Sequence, residues 1–128
     1  MSFLAWPYWG MFASGLLLTL QVSALAYAGA LVLGVIGVMC RASRILPLRW
    51  MGAAYVESIR NVPSLALVFI AVFGLPQIGL TMPLITSVVV MLAIYEGAFA
   101  CEALRSGINC VPVGSAEAAR ALGFGNRE

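Results

Sequence analysis

Residues 61–95, NVPSLALVFI AVFGLPQIGL TMPLITSVVV MLAIY, run for 35 positions without a charged side chain. One helix of that length would rise about 52 Å at ~1.5 Å per residue, far more than a hydrocarbon layer of about 30 Å. The segment must therefore turn back on itself. Gly74-Leu75-Pro76, Gly79 and Met82-Pro83 supply turn and helix-start residues between two apolar stretches. A membrane span is expected over 61–75, its apolar centre at 63–73, with a helix-compatible extension over 51–61. A turn follows at 76–82, and a further span occupies 83–104.

Working outward, the other uncharged run is 1–40. Positions 1–10 carry Trp6, Tyr8 and Trp9 around Pro7, an amphipathic cluster suited to the headgroup level and read as an extracytoplasmic interfacial tail. Span one is expected over 11–40, closed by Arg41, Arg44 and Arg49. Within it Ala26, Ala30 and Gly34 recur every four residues, flanked by Ser23 and Gly37. Such a stripe lets another helix approach closely in lipid. The two runs hold 75 of 128 residues, and 62% of the chain is hydrophobic, which excludes a water-soluble domain. The fold class is all-α integral membrane, with three transmembrane helices.

Three spans place the termini on opposite sides. Segments 41–60 and 105–128 then share one side and hold all seven arginines; the tail and the 76–82 turn share the other and hold none. The arginine side is expected to be cytoplasmic, with the N-terminus outside. Nothing basic precedes Arg41, so no cleavable signal peptide is expected and span one should persist. A net charge of +2 bears on orientation and gives no indication of nucleic-acid binding. The chain has no His, Asp or Lys, which removes Ser-His-Asp triads, Schiff-base and P-loop lysines and histidine zinc sites. No catalytic residue, cofactor or metal site is expected. Cys40, Cys101 and Cys110 lack C-x-x-C spacing and are expected to be free thiols.

Glu57/Arg60, Glu102/Arg105 and Glu117/Arg120 each place Arg three residues after Glu, the spacing of local ion pairs on a helix. Glu96 has no such partner and lies about 9 Å deeper in span three than Glu102. Carboxylates at membrane depth face protein or a wet cavity, so Glu96 is a candidate for a translocation pathway. A carboxylate just below the headgroups that reaches water is the competing reading, and spacing alone leaves both open.

The segment after span three reads Arg105-Ser106-Gly107-Ile108, then Val111-Pro112-Val113-Gly114, then Glu117-Ala118-Ala119-Arg120-Ala121-Leu122-Gly123. It resembles the E-A-A-x-x-x-G loop in membrane subunits of bacterial binding-protein-dependent ABC importers, in particular the polar amino-acid branch. Supporting matches are Glu57-x-x-Arg60-Asn61-x-Pro63, Gly74-Leu75-Pro76, and Gly97-Ala98-Phe99 followed by Glu102, Arg105, Gly107 and Ile108. The chain departs from the family pattern at Gly114-Ser115, where Gly-Gln is usual, at Phe99, where Tyr is more frequent, and at Asn61-Val62, where Gly-Thr is common.

The resemblance implies the N-terminal part of a type I importer transmembrane domain: three spans, then a cytoplasmic coupling helix. Gly114, Glu117, Ala118, Ala119 and Gly123 would form that helix and engage the ATP-binding subunit. Physically, Ser115 is expected to cap it, Glu117 to sit in its first turn and Gly123 to turn the chain at its end. Glu96, Gly97 and Phe99 are the candidate pathway wall. The implied partners are an ABC ATP-binding subunit, a second permease subunit in a homo- or heterodimer, an extracytoplasmic solute-binding protein, the bilayer and an amino-acid substrate. Glutamate is the narrower expectation, and Glu96 suits it only by holding the α-ammonium group. ATP would be bound by the partner, not by this chain. The family pattern continues past Gly123 to an Ile-x-Leu-Pro element and at least two more spans. A truncated membrane interaction or assembly protein, incompetent in transport, is therefore the alternative.

Overall fold

The computed structural model describes residues 8–123, apart from the side chains of Val113, Ala116, Ala119 and Arg120. The tail expected over 1–10 thus falls outside it up to position 7, as does the Glu117/Arg120 pairing. The described residues are helical, with no strand among them: α1 (Trp9–Ala42), α2 (Leu46–Arg60), α3 (Ser64–Phe69), α4 (Leu84–Asn109) and α5 (Val113–Ala121).

No proline interrupts the chain between Trp9 and Ala42, and α1 runs unbroken for 34 residues, longer than its apolar stretch requires. It stops at Ser43, whose extended backbone leaves the helix and whose Oγ accepts the Ile45 N–H at 3.1 Å. Pro47 then stands in the first turn of α2, where its missing N–H costs no helix bond. The far end of α2 is closed by Asn61, whose side-chain amide donates to the Glu57 carbonyl at 2.7 Å. Pro63 follows and prevents continuation.

At this break the axis turns by 98°, so the helix-compatible extension over 51–61 forms but does not prolong α3 in a straight line. Beyond α3 the chain widens into a π-helical turn at Ile70–Gly74 and tightens into a 3-10 turn at Leu75–Ile78. Pro76 accounts for the change, because it cannot donate to the Val72 carbonyl. Gly79, at φ +85°, ends the segment, with the Leu80 N–H returning to the Leu75 carbonyl at 3.1 Å. Helix α4 starts at Pro83, whose carbonyl accepts the Ser87 N–H at 2.9 Å.

The core is the contact between α1 and α4. Ala26, Ala30, Gly34 and Gly37 are buried there, while Ser23 is exposed. The stripe read from the sequence is thus a packing seam, and Gly29 extends it. A β-carbon built on Gly29 would lie 2.9 Å from Ala93 Cβ; one on Gly34 would lie 2.7 Å from Ala100 Cβ and 3.2 Å from the Cys101 backbone nitrogen. Contacts advance along both helices in the same direction, from Gly29 with Ala93 to Arg41 with Glu102. Helices α1 and α4 are therefore parallel, and the chain between them must return from one end of the pair to the other.

Outward faces are apolar: Leu16, Leu17, Leu20, Val32, Ile36, Leu84 and Ile85 are all exposed. Helices α1 and α4 are each long and apolar enough to cross a bilayer, and the bent pair of α2 and the Ser64–Ile78 segment supplies a third crossing if taken as one span. This is an integral membrane protein. Gly34→Ala is expected to destabilise it by about 1–3 kcal/mol, because the Ala100 and Cys101 backbone cannot yield as a flexible side chain would. Gly15→Ala, inside the same helix with open space around it, is expected to be neutral or stabilising by up to about 1 kcal/mol, because alanine is the better helix former. Thermal unfolding in one detergent compares the two; equal melting temperatures would contradict the seam.

Candidate functional site

Glu102 is the electrostatic centre of the molecule. Arg41, at the last turn of α1, donates from Nη1 to Glu102 Oε2 at 2.6 Å. Arg60, at the end of α2, places Nη1 3.7 Å from the same oxygen, and Arg105 lies 4.0 Å from Oε1. The Arg41 side chain is only 12% exposed and that of Glu102 36%, so this charge-assisted bond is partly shielded from water.

The spacing-based pairs are thereby revised. Glu102/Arg105 is present at the limit of an ion pair, but Arg60 turns from Glu57 to Glu102. The cause is tertiary: the end of α2 lies over α4, where Arg60 also covers the Phe99 ring, its guanidinium carbon 5.1 Å from the centroid. Tyr95 packs on Phe99 at 5.0 Å between centroids. Phe99 is thus in contact with both a cation and a second ring.

Two open cavities meet at Phe99. One, of about 460 Å³, is lined by Arg41, Val56, Glu57, Arg60, Asn61, Phe99 and Glu102. It presents charges of both signs and the Asn61 amide. The other, about 340 Å³, lies in the α1–α4 groove, where Glu96 is the one ionisable carboxylate among apolar neighbours that include Leu31, Phe99 and Leu104. Glu96 is exposed on the helix surface. Gly97 lines neither cavity. It is buried, and a β-carbon there would lie 2.9 Å from both Leu33 Cβ and the Tyr55 hydroxyl. The gap lets Tyr55 cross from α2 and donate to the Ile94 carbonyl at 2.6 Å. Of the three candidate wall residues, Glu96 and Phe99 face cavities and Gly97 holds helices together.

Among the site residues, Arg41 and Tyr55 carried no signal of their own as cavity or slot residues. Glu57, Arg60, Asn61 and Glu102 were visible only as parts of motifs. All three cysteines are free thiols, with Cys101 fully buried against Gly37.

The last helix, α5, begins at Val113, directly after Pro112. Pro112 accepts the Ser115 N–H at 3.0 Å, so Ser115 lies inside the first turn and is not the cap. Glu117 accordingly sits in the second turn, not the first. Proline, with φ already set for a helix start, moves the beginning three residues upstream of the expected one. Gly123 does turn the chain after the helix, at φ +88°. Gly114, Glu117, Ala118 and Gly123 are exposed; the Ala119 side chain lies outside the described residues. Helix α5 packs against no other element among the described residues.

Residues 30–128 match the family described as binding-protein-dependent transport system inner membrane component. The chain belongs to this family. It is 46% identical over 114 residues to the probable glutamine ABC transporter permease protein GlnM of Bacillus subtilis (strain 168), covering 89% of this chain and 53% of that one. The glutamate transport system permease protein GluC of Corynebacterium efficiens is 37% identical over 119 residues, covering 84% and 52% respectively. The crystal structure of an amino acid ABC transporter with histidines has a TM-score of 0.87 at 35% identity, over 93% of this chain and 56% of that one. The chain thus spans about half the length of the relatives it matches.

The charge centre makes its own prediction. In a double-mutant cycle of Arg41→Gln and Glu102→Gln, read by thermal unfolding, a coupling of about 1–3 kcal/mol is expected. Additive effects would mean that the 2.6 Å bond contributes little to stability.

Proposed function

We propose that the chain forms part of the membrane-spanning permease subunit of an ATP-driven bacterial importer for polar amino acids. The carrying observation is α5: a nine-residue helix with E-A-A-x-x-x-G register, exposed Glu117 and Ala118, and no packing partner among the described residues. A helix that docks in another subunit is left uncovered in its own chain. Gly114, Glu117, Ala118, Ala119 and Gly123 form the contact with the ATP-binding subunit. Alanines permit close approach, while Glu117 accepts charge-assisted bonds from basic groups. Spans one to three keep their sequence-based bounds, with the N-terminus outside, α5 in the cytoplasm and the whole in the inner or plasma membrane. Parallel α1 and α4 support this topology, since the return segment then counts as a crossing.

The cavity beside Glu102 suits a zwitterion. A substrate α-carboxylate can approach Arg60 while its α-ammonium meets Glu57 or Glu102, and Asn61 adds an amide. Glu96 and Phe99 form the adjoining wall, with Gly97 fixing its position. Relatives named for glutamine, cystine, glutamate and arginine share this half of the chain, which supports amino acids as the class; glutamate is the narrower reading. A second permease subunit, a solute-binding protein and the ATP-binding subunit complete the importer. ATP-driven movement of the coupling helices shifts the spans between outward-open and inward-open states.

Glu117→Ala in the full-length permease is expected to lower both ATPase co-purification and ATP-driven uptake, by about tenfold for a loss near 1.4 kcal/mol. Normal values of both would defeat the coupling role. For Glu96→Gln, radiolabelled amino-acid uptake is expected to fall by about tenfold or to change selectivity. Unchanged transport across an amino-acid panel would remove Glu96 from the pathway.

A further inference from the structure

Three arginines surround Glu102, but Arg44 and Arg49 do not. Among the described residues neither pairs with a carboxylate. Arg44 lies in the bend before α2, and Arg49 lies in the helix's first turns. Around them the surface is apolar: Ile45, Leu46, Trp50 and Met51 are exposed, Trp50 at 68% and Met51 at 67%. Arg49, Trp50 and Ala53 line an open cavity of about 250 Å³.

The depth of this surface follows from packing. A β-carbon on Gly52 would lie 2.8 Å from Arg41 Cγ and 3.2 Å from Cys40 Cβ. The early turns of α2 are therefore level with the last turn of α1, where the 40-residue uncharged run ends. At 15 residues α2 rises about 22 Å, too short to span, and its axis departs from that of the Ser64–Ile78 segment by 98°. A short helix at the end of an apolar rod, with exposed Trp beside exposed Arg, has the composition of the lipid–water boundary.

We propose that the bend and first two turns of α2 bind the headgroup of an anionic phospholipid. Its phosphate meets the Arg44 and Arg49 guanidinium groups, while Trp50 and Met51 lie against the glycerol and upper acyl region. Charge complementarity selects the occupant. Two guanidinium groups without a carboxylate attract a headgroup of net negative charge, and a choline headgroup would place a third cation beside them. The surface is separate from the Glu102 cavity, and its lipid binding does not depend on which amino acid is carried.

The test uses full-length permease purified in detergent and titrated with short-chain phosphatidylglycerol or phosphatidylcholine, bound lipid being counted by native mass spectrometry. Wild type is expected to prefer phosphatidylglycerol. Arg49→Gln should lower that preference about five-fold and Arg44→Gln with Arg49→Gln about thirty-fold, from about 1 kcal/mol per arginine near an anionic surface. Arg49→Lys should keep it, which separates charge from fold. An unchanged preference in the double variant overturns the proposal. So does a double variant that keeps its lipid preference but loses the ATP-binding subunit, because the surface would then be a protein interface.

Discussion

Contact between α1 and α4 through residues with almost no side chain is the constraint on which the other features rest. Gly34 and Gly37 let α1 lie against the backbone and thiol of Cys101, closer than any larger residue would permit. In lipid such closeness replaces the hydrophobic effect as the source of helix association, since the surroundings are as apolar as the side chains. The same contact sets a register. Once Gly29 meets Ala93 and Gly34 meets Ala100, Arg41 must arrive beside Glu102.

That register makes the charge centre tolerable. An unpaired carboxylate on an apolar helix is costly, but Glu102 lies near the end of α4 with three guanidinium groups within 4.0 Å. Helix α2 reaches the same place by a different route. Tyr55 fills the gap left by Gly97 and bonds the Ile94 carbonyl, which steers the end of α2, with Arg60 and Asn61, over Phe99. A polar cavity therefore forms where the last turn of α1, the second half of α2 and the Phe99–Glu102 turn of α4 meet.

Breaks in the return segment have separate local causes. Pro63 keeps α2 from running on into α3, Pro76 distorts the continuation of α3 into π and 3-10 turns, and Pro83 precedes α4. Prolines lack the N–H that would carry a helix onward, so their positions divide the apolar run whatever the tertiary environment. The angle at the first break is different: 98° results from α2 packing across α1 and α4 while α3 follows α4.

What the chain's order of residues determined by itself was helical class, apolar runs of membrane length, the turns at Gly74–Pro83, the small-residue seam and the family to which they belong. These depend on rise per residue, missing donors and spacing along one helix, all local quantities. The site was only partly legible. Glu96, Gly97 and Phe99 stood out in the sequence as candidate wall residues; Glu96 and Phe99 line cavities, and Gly97 is buried against Leu33 and Tyr55. The bond between Arg41 and Glu102, 61 positions apart, had no trace in spacing. Only tertiary structure decided it, together with the turn of Arg60 from Glu57 to Glu102, because both require a register between helices that glycine contacts impose across space.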